Sequence, residues 1–281
     1  MDMITEKVWK VKENVKRYLK NVVFCESNKA FEINPEAEKL YVVETQKDLQ
    51  WLKSRNLPVV AWIHAGNKDQ NLSEAFYAVE DPHALDMDFY ERAYRREKKI
   101  PWDIVETERC LVREMIPEDG VAFEKIYEPE EIRKYMDDFH EDAAGEAAYI
   151  KDYQQQYRFC EYGVWSIILK DTGEVIGRAG FLQNPPAKVL EDLESGIVGI
   201  LEQDMDIPFL GYVIGLPWQR KGLAEEVCKA LIRYAREELE FEQIGLLVEK
   251  DNRASVKLAE KLGFSDKACG CQVLLKVLHL M

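Results

Sequence analysis

The segment from Trp218 to Ala224 carries the residue types best suited to binding an anion. It follows an apolar run, 207–215, predicted as a strand, and it precedes a helix with apolar residues at every fourth position. The first backbone N–H groups of a helix have no partner inside the helix, and the helix dipole adds partial positive charge there. Gly222 lets a bulky anion approach the backbone, while Arg220 and Lys221 supply cations. The pattern predicts an anion site; a helix start with two solvated basic residues is the alternative interpretation.

The spacing of this segment and two further motifs resemble one family. Gln219-x-x-Gly222-x-Ala224 resembles the Q/R-x-x-G-x-G/A loop of the GNAT superfamily of acyl-CoA-dependent N-acetyltransferases. Downstream, Asn252 to Ser255, followed by a helix that closes on LGF at 262–264, is similar to the second motif of that superfamily. Upstream, TERCLVRE at 107–114 resembles the opening strand of the branch that includes ribosomal-protein N-terminal acetyltransferases. Three matches in the family's order, over about 160 residues, are more specific than any one of them.

The resemblance implies an α/β (α+β) fold for residues 105–281, with a mixed, mostly antiparallel sheet flanked by helices. It also implies acetyl-CoA as cosubstrate. In this family the strand before the loop separates from its neighbour at a bulge, and the pantetheine arm enters the gap. The residues that the family pattern assigns to the cofactor are Tyr212, Val213, Ile214, Gln219, Arg220, Lys221, Gly222, Leu223, Ala224, Asn252 and Ser255. An ordinary helix N-cap is the other interpretation of Asn252, and both roles can coexist.

The reaction that the resemblance implies is direct attack of a neutral amine on the thioester carbonyl within a ternary complex. An amine with a pKa near ~10 is mostly protonated at neutral pH, so a base must remove a proton. The candidate bases are Glu202 and Asp206, just before the cofactor strand, and Glu249, at the end of the next strand. A solvated carboxylate is the alternative interpretation of each.

Three other positions bear on the chemistry of the reacting atoms. A backbone N–H near Val213 is a candidate donor to the developing oxyanion. Tyr212 is a candidate proton carrier, with packing as its alternative role. Many relatives protonate the leaving thiolate from a tyrosine seven residues after the motif asparagine, and this chain has Ala259 there. This departure puts a tyrosine acid at that position in doubt.

Residues 1–104 are predicted to form a separate small Rossmann-like α/β domain, with a boundary near Pro101 and Trp102. After a charged helix over about 5–20, the predicted strands cover 40–44, 58–63 and 75–79, and the predicted helices cover 45–56 and 86–98. The tract 41–63 faintly resembles the last strand–helix–strand unit of haloacid-dehalogenase-like phosphatases. The D-x-D nucleophile motif of those enzymes is missing, and Thr45 stands where such a unit would offer an aspartate. The domain is therefore expected to be non-catalytic, with a scaffolding or partner-binding role.

The charge of the chain is strongly negative and unevenly placed. Its 281 residues include 38 Lys and Arg and 52 Asp and Glu, a formal net charge of −14. Counting along the sequence places 11 acidic and 3 basic residues in 117–146, and 6 and 1 in 183–206. This acidity disfavours nucleic acid and anionic membranes as partners, because both are bound through clustered basic residues. We expect an acidic acceptor entrance that favours a cationic amine, with solvated surface charge as the alternative.

The six cysteines include no C-x-x-C pair, and the four histidines show no ligand spacing. We therefore expect no metal. The N-terminal residues lack a signal-peptide core, and no run approaches the ~20 apolar residues of a membrane span. A cytoplasmic protein with reduced thiols is expected, and dimerisation is left open.

Two functional hypotheses follow. The first is an N-acetyltransferase that acts on a primary amine, either a protein N-terminus or a small cationic metabolite. The second is an acyl-CoA-binding regulator or adaptor without catalysis, motivated by Ala259 and by the extra first domain.

Overall fold

The computed structural model describes residues 21–25, 27–32, 36–136, 142–183, 207–269 and 272–280. The chain divides into two compact units, Met1–Trp102 and Asp103–Met281. The helix predicted over 5–20 lies outside the described residues, as does all but Gln183 of the connection predicted over 183–206.

The first unit contains a parallel sheet of four strands in the order β1-β2-β3-β4. The strands are β1 (Asn21–Phe24), β2 (Lys39–Val43), β3 (Val59–Trp62) and β4 (Tyr77–Val79); α1 (Gln46–Lys53) follows β2 and α2 (Met87–Glu97) follows β4. Tyr41 and Val43 of β2 pack with α1, whereas Leu40 and Val42 pack with α2. Because alternate residues of a strand point to opposite faces, one helix covers each face of this sheet. All these elements except β1 were predicted from the sequence.

The second unit contains a sheet of eight strands, in the order β11-β12-β10-β9-β8-β7-β6-β5. The strands are β5 (Asp103–Glu106), β6 (Cys110–Arg113), β7 (Val164–Leu169), β8 (Val175–Leu182), β9 (Phe209–Ile214), β10 (Gln243–Glu249), β11 (Ser265–Cys269) and β12 (Val273–His279). Every neighbouring pair is antiparallel except β9 and β10, which are parallel. The predicted mixed, mostly antiparallel sheet is confirmed.

Helices cover both faces of this second sheet. They are α3 (Gly120–Tyr127), α4 (Glu130–Arg133), α5 (Ala143–Tyr153), α6 (Gln156–Cys160), α7 (Leu223–Glu237) and α8 (Arg253–Lys261). Arg178 of β8 lies against the Tyr127 ring of α3, whereas Phe181 packs on Trp165, which contacts Tyr234 of α7. Residues 178 and 181 point to opposite faces of the strand, so α3 and α7 lie on opposite sides.

Two buried networks use part of the acidity of residues 117–146. Asp119 accepts hydrogen bonds from the Arg113 guanidinium at 2.7 and 2.8 Å and from the Ser166 hydroxyl at 2.5 Å. Glu146, which is fully buried, accepts from Arg178 at 2.7 Å. A buried charge is tolerated only when it is paired, so these two carboxylates are held in ion pairs within the core and are not part of an acceptor entrance.

Strand β5 was not predicted, and it spans the boundary expected between residues 104 and 105. The division between the two units falls two residues earlier, after Trp102. The reason is that β5 pairs with β6 in the second sheet. A four-residue segment, DIVE, does not show that pairing in its own pattern.

Candidate active site

Strands β9 and β10 run parallel but separate after one bridge, between Phe209 and Gly245. Each strand stays fully paired on its other side, β9 with β8 and β10 with β12. A gap therefore opens between two supported strands, as the family resemblance implied. The β8–β9 pairing runs from Phe209 to Ile214 without a register shift, so the expected bulge is not seen on that side.

Alternation along β9 decides which backbone groups face the gap. In an antiparallel pair, every second residue bonds to the partner strand and the residues between point away. The Gly215 N–H donates to the Ile176 carbonyl of β8 at 2.9 Å. Val213, two residues earlier, therefore also bonds toward β8, whereas the backbone groups of Tyr212 and Ile214 face the gap. The N–H predicted near Val213 as an oxyanion donor thus points away from the gap.

The backbone of β10 contributes to the gap in the same way. The Gly245 N–H donates to the Pro208 carbonyl at the start of β9, and the Lys250 N–H donates to Gln272, beside β12. The backbone N–H and C=O groups of odd-numbered residues of β10 therefore face β9, which places those of Leu247 and Glu249 at the gap. An extended chain inserted here would find backbone partners on both sides.

The loop at 219–222 follows β9 and leads into α7. Arg220 and Gly222 both have positive φ, 59° and 80°, and such turns gather successive N–H groups into a concave surface that suits anions. Gly222 is the N-cap of α7 and offers no side-chain acceptor. The first N–H groups of α7 are therefore left for a ligand, as the sequence predicted.

One cleft of about 590 Å³ joins this loop to the β9 side of the gap and to the start of α8. Of the predicted cofactor residues, those that line it are Tyr212, Val213, Ile214, Gln219, Arg220, Gly222, Leu223, Ala224, Asn252 and Ser255. Lys221 does not line the cleft; its carbonyl accepts a hydrogen bond from Arg109 at 2.9 Å.

Asn252 caps α8 from within the cleft. Its side-chain oxygen accepts from the Ser255 N–H at 3.2 Å, so the predicted N-cap role is present. The side-chain amide N–H groups of Asn252 are not used by that bond. The cap therefore leaves Asn252 able to contact a ligand as well.

Tyr212 presents an unusual polar group to the cleft. Its hydroxyl oxygen is fully buried and makes no hydrogen bond of normal geometry with the described residues, although the Ser255 hydroxyl lies beside it. Burial raises the pKa of this phenol, and the nearby Ser255 hydroxyl opposes that rise to a smaller degree. A buried hydroxyl without a well-formed hydrogen bond costs stability, and a bound ligand that accepts from it would remove that cost. The site therefore suits a ligand with a hydrogen-bond acceptor in the gap.

A second, smaller cavity of about 130 Å³ lies along the gap and contains Glu249, one of the predicted bases. The cavity shares Tyr135, Met136, Tyr212, Asn252 and Ser255 with the main cleft, and its other lining residues are Leu182, Phe209, Leu210, Gly211, Leu246, Leu247, Val248, Glu249 and Val273. The residues that line this cavity are thus mostly apolar. Asp206 and Glu202, the other predicted bases, lie outside the described residues.

Ala259, at the position where many relatives carry a tyrosine acid, is fully buried in the core and does not line either cavity. Its neighbour Leu258 lines the main cleft instead.

Ion pairs hold most acidic side chains around the cleft. Asp251 accepts from Lys134 at 2.5 Å, which connects the end of α4 with the start of α8. Glu225 accepts from Lys229 at 2.7 Å and from Lys261 at 2.5 Å. Hydrogen bonds from these lysines lower the pKa of both carboxyl groups. The cleft therefore combines neutralised carboxylates with the cationic side chains of Arg220 and Arg253.

One wall of the cleft, and the residue that supports its loop, were not predicted from the sequence. Glu131, Ile132, Tyr135 and Met136, in and after α4, line the cleft, although nothing in their spacing marks a ligand site. Arg109 belongs to the TERCLVRE motif, whose pattern indicates a strand and gives no sign of a contact with the loop.

Comparison with known proteins identifies the domain. The family model described as an acetyltransferase (GNAT) domain matches residues 109–265, more than half of the chain. The chain belongs to the GNAT acetyltransferase family. It is thus an acyltransferase, and the acetyl-CoA dependence of this family agrees with the geometry of the cleft.

Two proteins from bacilli are similar in sequence to this GNAT protein. YoaA of Bacillus subtilis, an uncharacterized N-acetyltransferase, is 27% identical over 162 residues, which cover 57% of this chain and 82% of YoaA. The N-acetyltransferase p20 of Bacillus licheniformis, also uncharacterized, is 28% identical over 159 residues, covering 56% and 80%. Both bear the same enzyme class in their names.

Two solved structures share the fold. RimL, a ribosomal L7/L12 alpha-N-protein acetyltransferase in complex with coenzyme A, has a TM-score of 0.51 at 12% identity, over 64% of this chain and 98% of RimL. The ribosomal-protein-S5-alanine acetyltransferase of Vibrio fischeri has a TM-score of 0.50 at 13% identity, over 62% and 95%. At such identities the likeness shows the fold alone. These relatives lend no support to the haloacid-dehalogenase-like resemblance of the N-terminal part, which stays a hypothesis.

The described residues contain no cluster of histidine, cysteine and carboxylate side chains suited to a metal ion. Nor is any helix among them long and apolar enough to cross a bilayer.

Proposed function

We propose that this GNAT protein transfers an acetyl group from acetyl-CoA to a primary amine, directly and with both substrates bound. The observation that carries the proposal is that one cleft joins the loop at 219–222 to the β9 side of the gap, and that this cleft shares Tyr212, Asn252 and Ser255 with the cavity between β9 and β10. Acetyl-CoA, when bound, supplies an activated thioester carbonyl in that gap. The residues of the chain orient it, shield it and move the protons.

The gap and the loop bind different parts of the cofactor. The pantetheine arm lies between the strands as an extended chain and bonds to the backbone of Tyr212 and Ile214, as an added strand would. The pyrophosphate lies on the N–H groups from Gln219 to Ala224, where the α7 dipole favours an anion. Asn252 and Ser255 add side-chain contacts from the start of α8.

Glu249 is the base in this proposal. It lies in the small cavity at the gap, where an ammonium group entering beside the thioester would meet a carboxylate. A nearby negative charge attracts the protonated amine, and the carboxylate then accepts its proton directly or through one water. The amine is thereby made nucleophilic and attacks the adjacent carbonyl. The C–S bond then breaks, and the CoA thiolate leaves and takes up, through water, the second proton that the amine loses.

Tyr212 donates a hydrogen bond but does not release its proton. Burial raises the pKa of its phenol, so the hydroxyl stays protonated throughout the neutral range. A thiol has a pKa near ~8.5, so its thiolate gains little from a phenol that holds its proton more tightly. The Tyr212 hydroxyl is therefore assigned to orient the bound cofactor.

The acceptor is either a protein N-terminus or a small cationic amine. The TERCLVRE motif, through its resemblance to the ribosomal-protein branch, supports the first class. Glu131 in the cleft wall and Glu249 in the cavity support a positively charged group in either class.

The test is release of free thiol from acetyl-CoA by the full chain, with peptides, the same peptides blocked at the N-terminus, polyamines, or no acceptor. We expect release that depends on a free amine, and one acetyl group added to that amine by mass spectrometry. Glu249→Gln should abolish most turnover while acetyl-CoA binding persists. Glu242→Gln, an exposed carboxylate just before β10, is the matched control. Tight acetyl-CoA binding without turnover on any acceptor would instead favour the regulator hypothesis.

We further propose that the first unit is non-catalytic and serves as a scaffold or partner-binding module. Glu44, at the end of β2, accepts from the Ser27 hydroxyl and from His64 Nε2 at 2.9 Å, while His64 Nδ1 accepts from the Gly66 N–H at 3.1 Å. Thr45 caps α1, accepting from the Asp48 N–H at 3.2 Å. These groups hold loops together. Glu44→Gln in the full chain should leave the transfer rate unchanged, and a large loss would contradict the proposal.

A further inference from the structure

Arg109, at the start of β6, holds the loop at 219–222 from outside the cleft. Its Nη1 donates to the Lys221 carbonyl at 2.9 Å, and its Nε donates to Glu226 Oε2 at 2.7 Å. Its own backbone N–H donates to Glu226 Oε1 at 2.8 Å. Arg109 does not line the cleft, so these bonds act on the loop without contact to a ligand lying in it.

The bond to Lys221 sets the direction of the next N–H group. In a trans peptide, the carbonyl of one residue and the N–H of the following residue point in opposite directions. Because the Lys221 carbonyl points to Arg109, the Gly222 N–H points the other way. Gly222 itself lines the cleft, so this N–H is directed at the proposed pyrophosphate position.

Glu226 fixes the guanidinium in place. It lies in the first turn of α7 and binds both the side chain and the backbone of Arg109, so β6 and the start of α7 are tied together. The Glu226 side chain is 19% exposed and that of Arg109 is 43% exposed. A fork of several donors in one plane is specific to arginine, because lysine offers only a point charge.

We propose that Arg109, supported by Glu226, is a positioning residue that orients the Gly222 N–H toward the pyrophosphate of acetyl-CoA. This rests on the proposed function. It assigns the first arginine of the TERCLVRE motif to cofactor affinity, with no part in the transfer step.

The experiment compares two donors that differ in the group concerned: acetyl-CoA, which carries the pyrophosphate, and acetyl-pantetheine, which does not. Arg109→Ala should raise the KM for acetyl-CoA roughly five- to tenfold, as expected for one charge-assisted hydrogen bond that is partly exposed. Its kcat should change less than about twofold, and its KM for acetyl-pantetheine should stay at the wild-type value.

Arg109→Lys keeps the positive charge but loses the planar set of donors, so it should show the same selective rise in the KM for acetyl-CoA. If Arg109→Ala does not fold, Arg109→Lys provides the test. Arg236→Ala, at the exposed end of α7, is the control. An unchanged KM for acetyl-CoA, or an equal rise for both donors, overturns the role of Arg109. Failure of the wild-type chain to turn over either donor would instead contradict the proposed function.

Discussion

Substitution of Gly222 separates backbone strain from charge at the proposed pyrophosphate site. Gly222 has φ 80° and ψ 1°, a left-handed conformation that costs a residue with a Cβ roughly 1–2 kcal/mol. A Cβ built on Gly222 lies 3.5 Å from Arg109 Nη2, an ordinary contact. The cost of Gly222→Ala is therefore strain alone, and if it is relieved by rotation of the loop, acetyl-CoA binding should weaken about tenfold. Gly222→Asn should weaken binding less, because asparagine tolerates this conformation.

Gly222→Glu adds a negative charge to the same strain. At about 5 Å from one phosphate charge, with an effective dielectric constant near 20, the repulsion is roughly 3 kcal/mol. Together with the strain, this predicts a loss of acetyl-CoA affinity of more than about a hundredfold. The expected order of affinity is wild type, Asn, Ala and then Glu.

Isothermal titration calorimetry with acetyl-CoA measures these affinities, and acetyl-pantetheine serves as the donor without phosphate. Circular dichroism of each variant establishes that it is folded. A folded Gly222→Glu protein that binds acetyl-CoA within a few-fold of wild type would refute the assignment of the pyrophosphate to this loop. Equal losses for both donors would show that the loop shapes the gap and does not bind the phosphates.

Three further predictions concern the gap and the core. Glu249→Gln should lower kcat at least about tenfold with little change in the KM for acetyl-CoA, because a base acts on the amine; steady-state kinetics in both substrates checks this. Tyr212→Phe should weaken acetyl-CoA binding but leave the pH profile between 6 and 9 unchanged, since burial raises the phenol pKa and no titration of Tyr212 falls there; a profile shifted by the substitution would restore it as a proton donor. Glu146→Ala should destabilise the second unit by about 3–5 kcal/mol in urea denaturation, because it removes the carboxylate that pairs with the buried Arg178. The double variant Glu146→Leu with Arg178→Met should recover most of that loss, and an equal loss in both would contradict the pairing argument.

Periodicity and motif spacing were sufficient for the main elements. The predicted core face of α7, Leu223, Val227, Leu231 and Ala235, is buried. The sequence Asp171-Thr172-Gly173 predicts a tight hairpin turn, and a turn with Gly173 at φ 72° connects β7 and β8. Both features depend on contacts within one segment, where residue type and local spacing carry the information.

Two edge strands were not predicted in this way. Strands β1 and β5 each pair on one side only, although β3, β4 and β6, which were predicted, are as short or shorter. They become strands because β2 and β6 offer backbone partners, which is a non-local cause.

The features of the candidate site also fall into those with local causes and those with non-local causes. Residue types and local spacing indicated the loop and the cap at Asn252, because glycine, asparagine and helix starts have local conformational requirements. The family and the list of cofactor residues were implied by the resemblance of the motifs. Tertiary structure alone showed that the backbone groups of Tyr212 and Ile214, and not those of Val213, face the gap, because their direction depends on pairing with β8. It alone brought Arg109 to Glu226, 117 residues away, and buried Asp119 and Glu146 in ion pairs. Contacts between distant segments follow from packing, and a single sequence does not show which charged residues pair with each other.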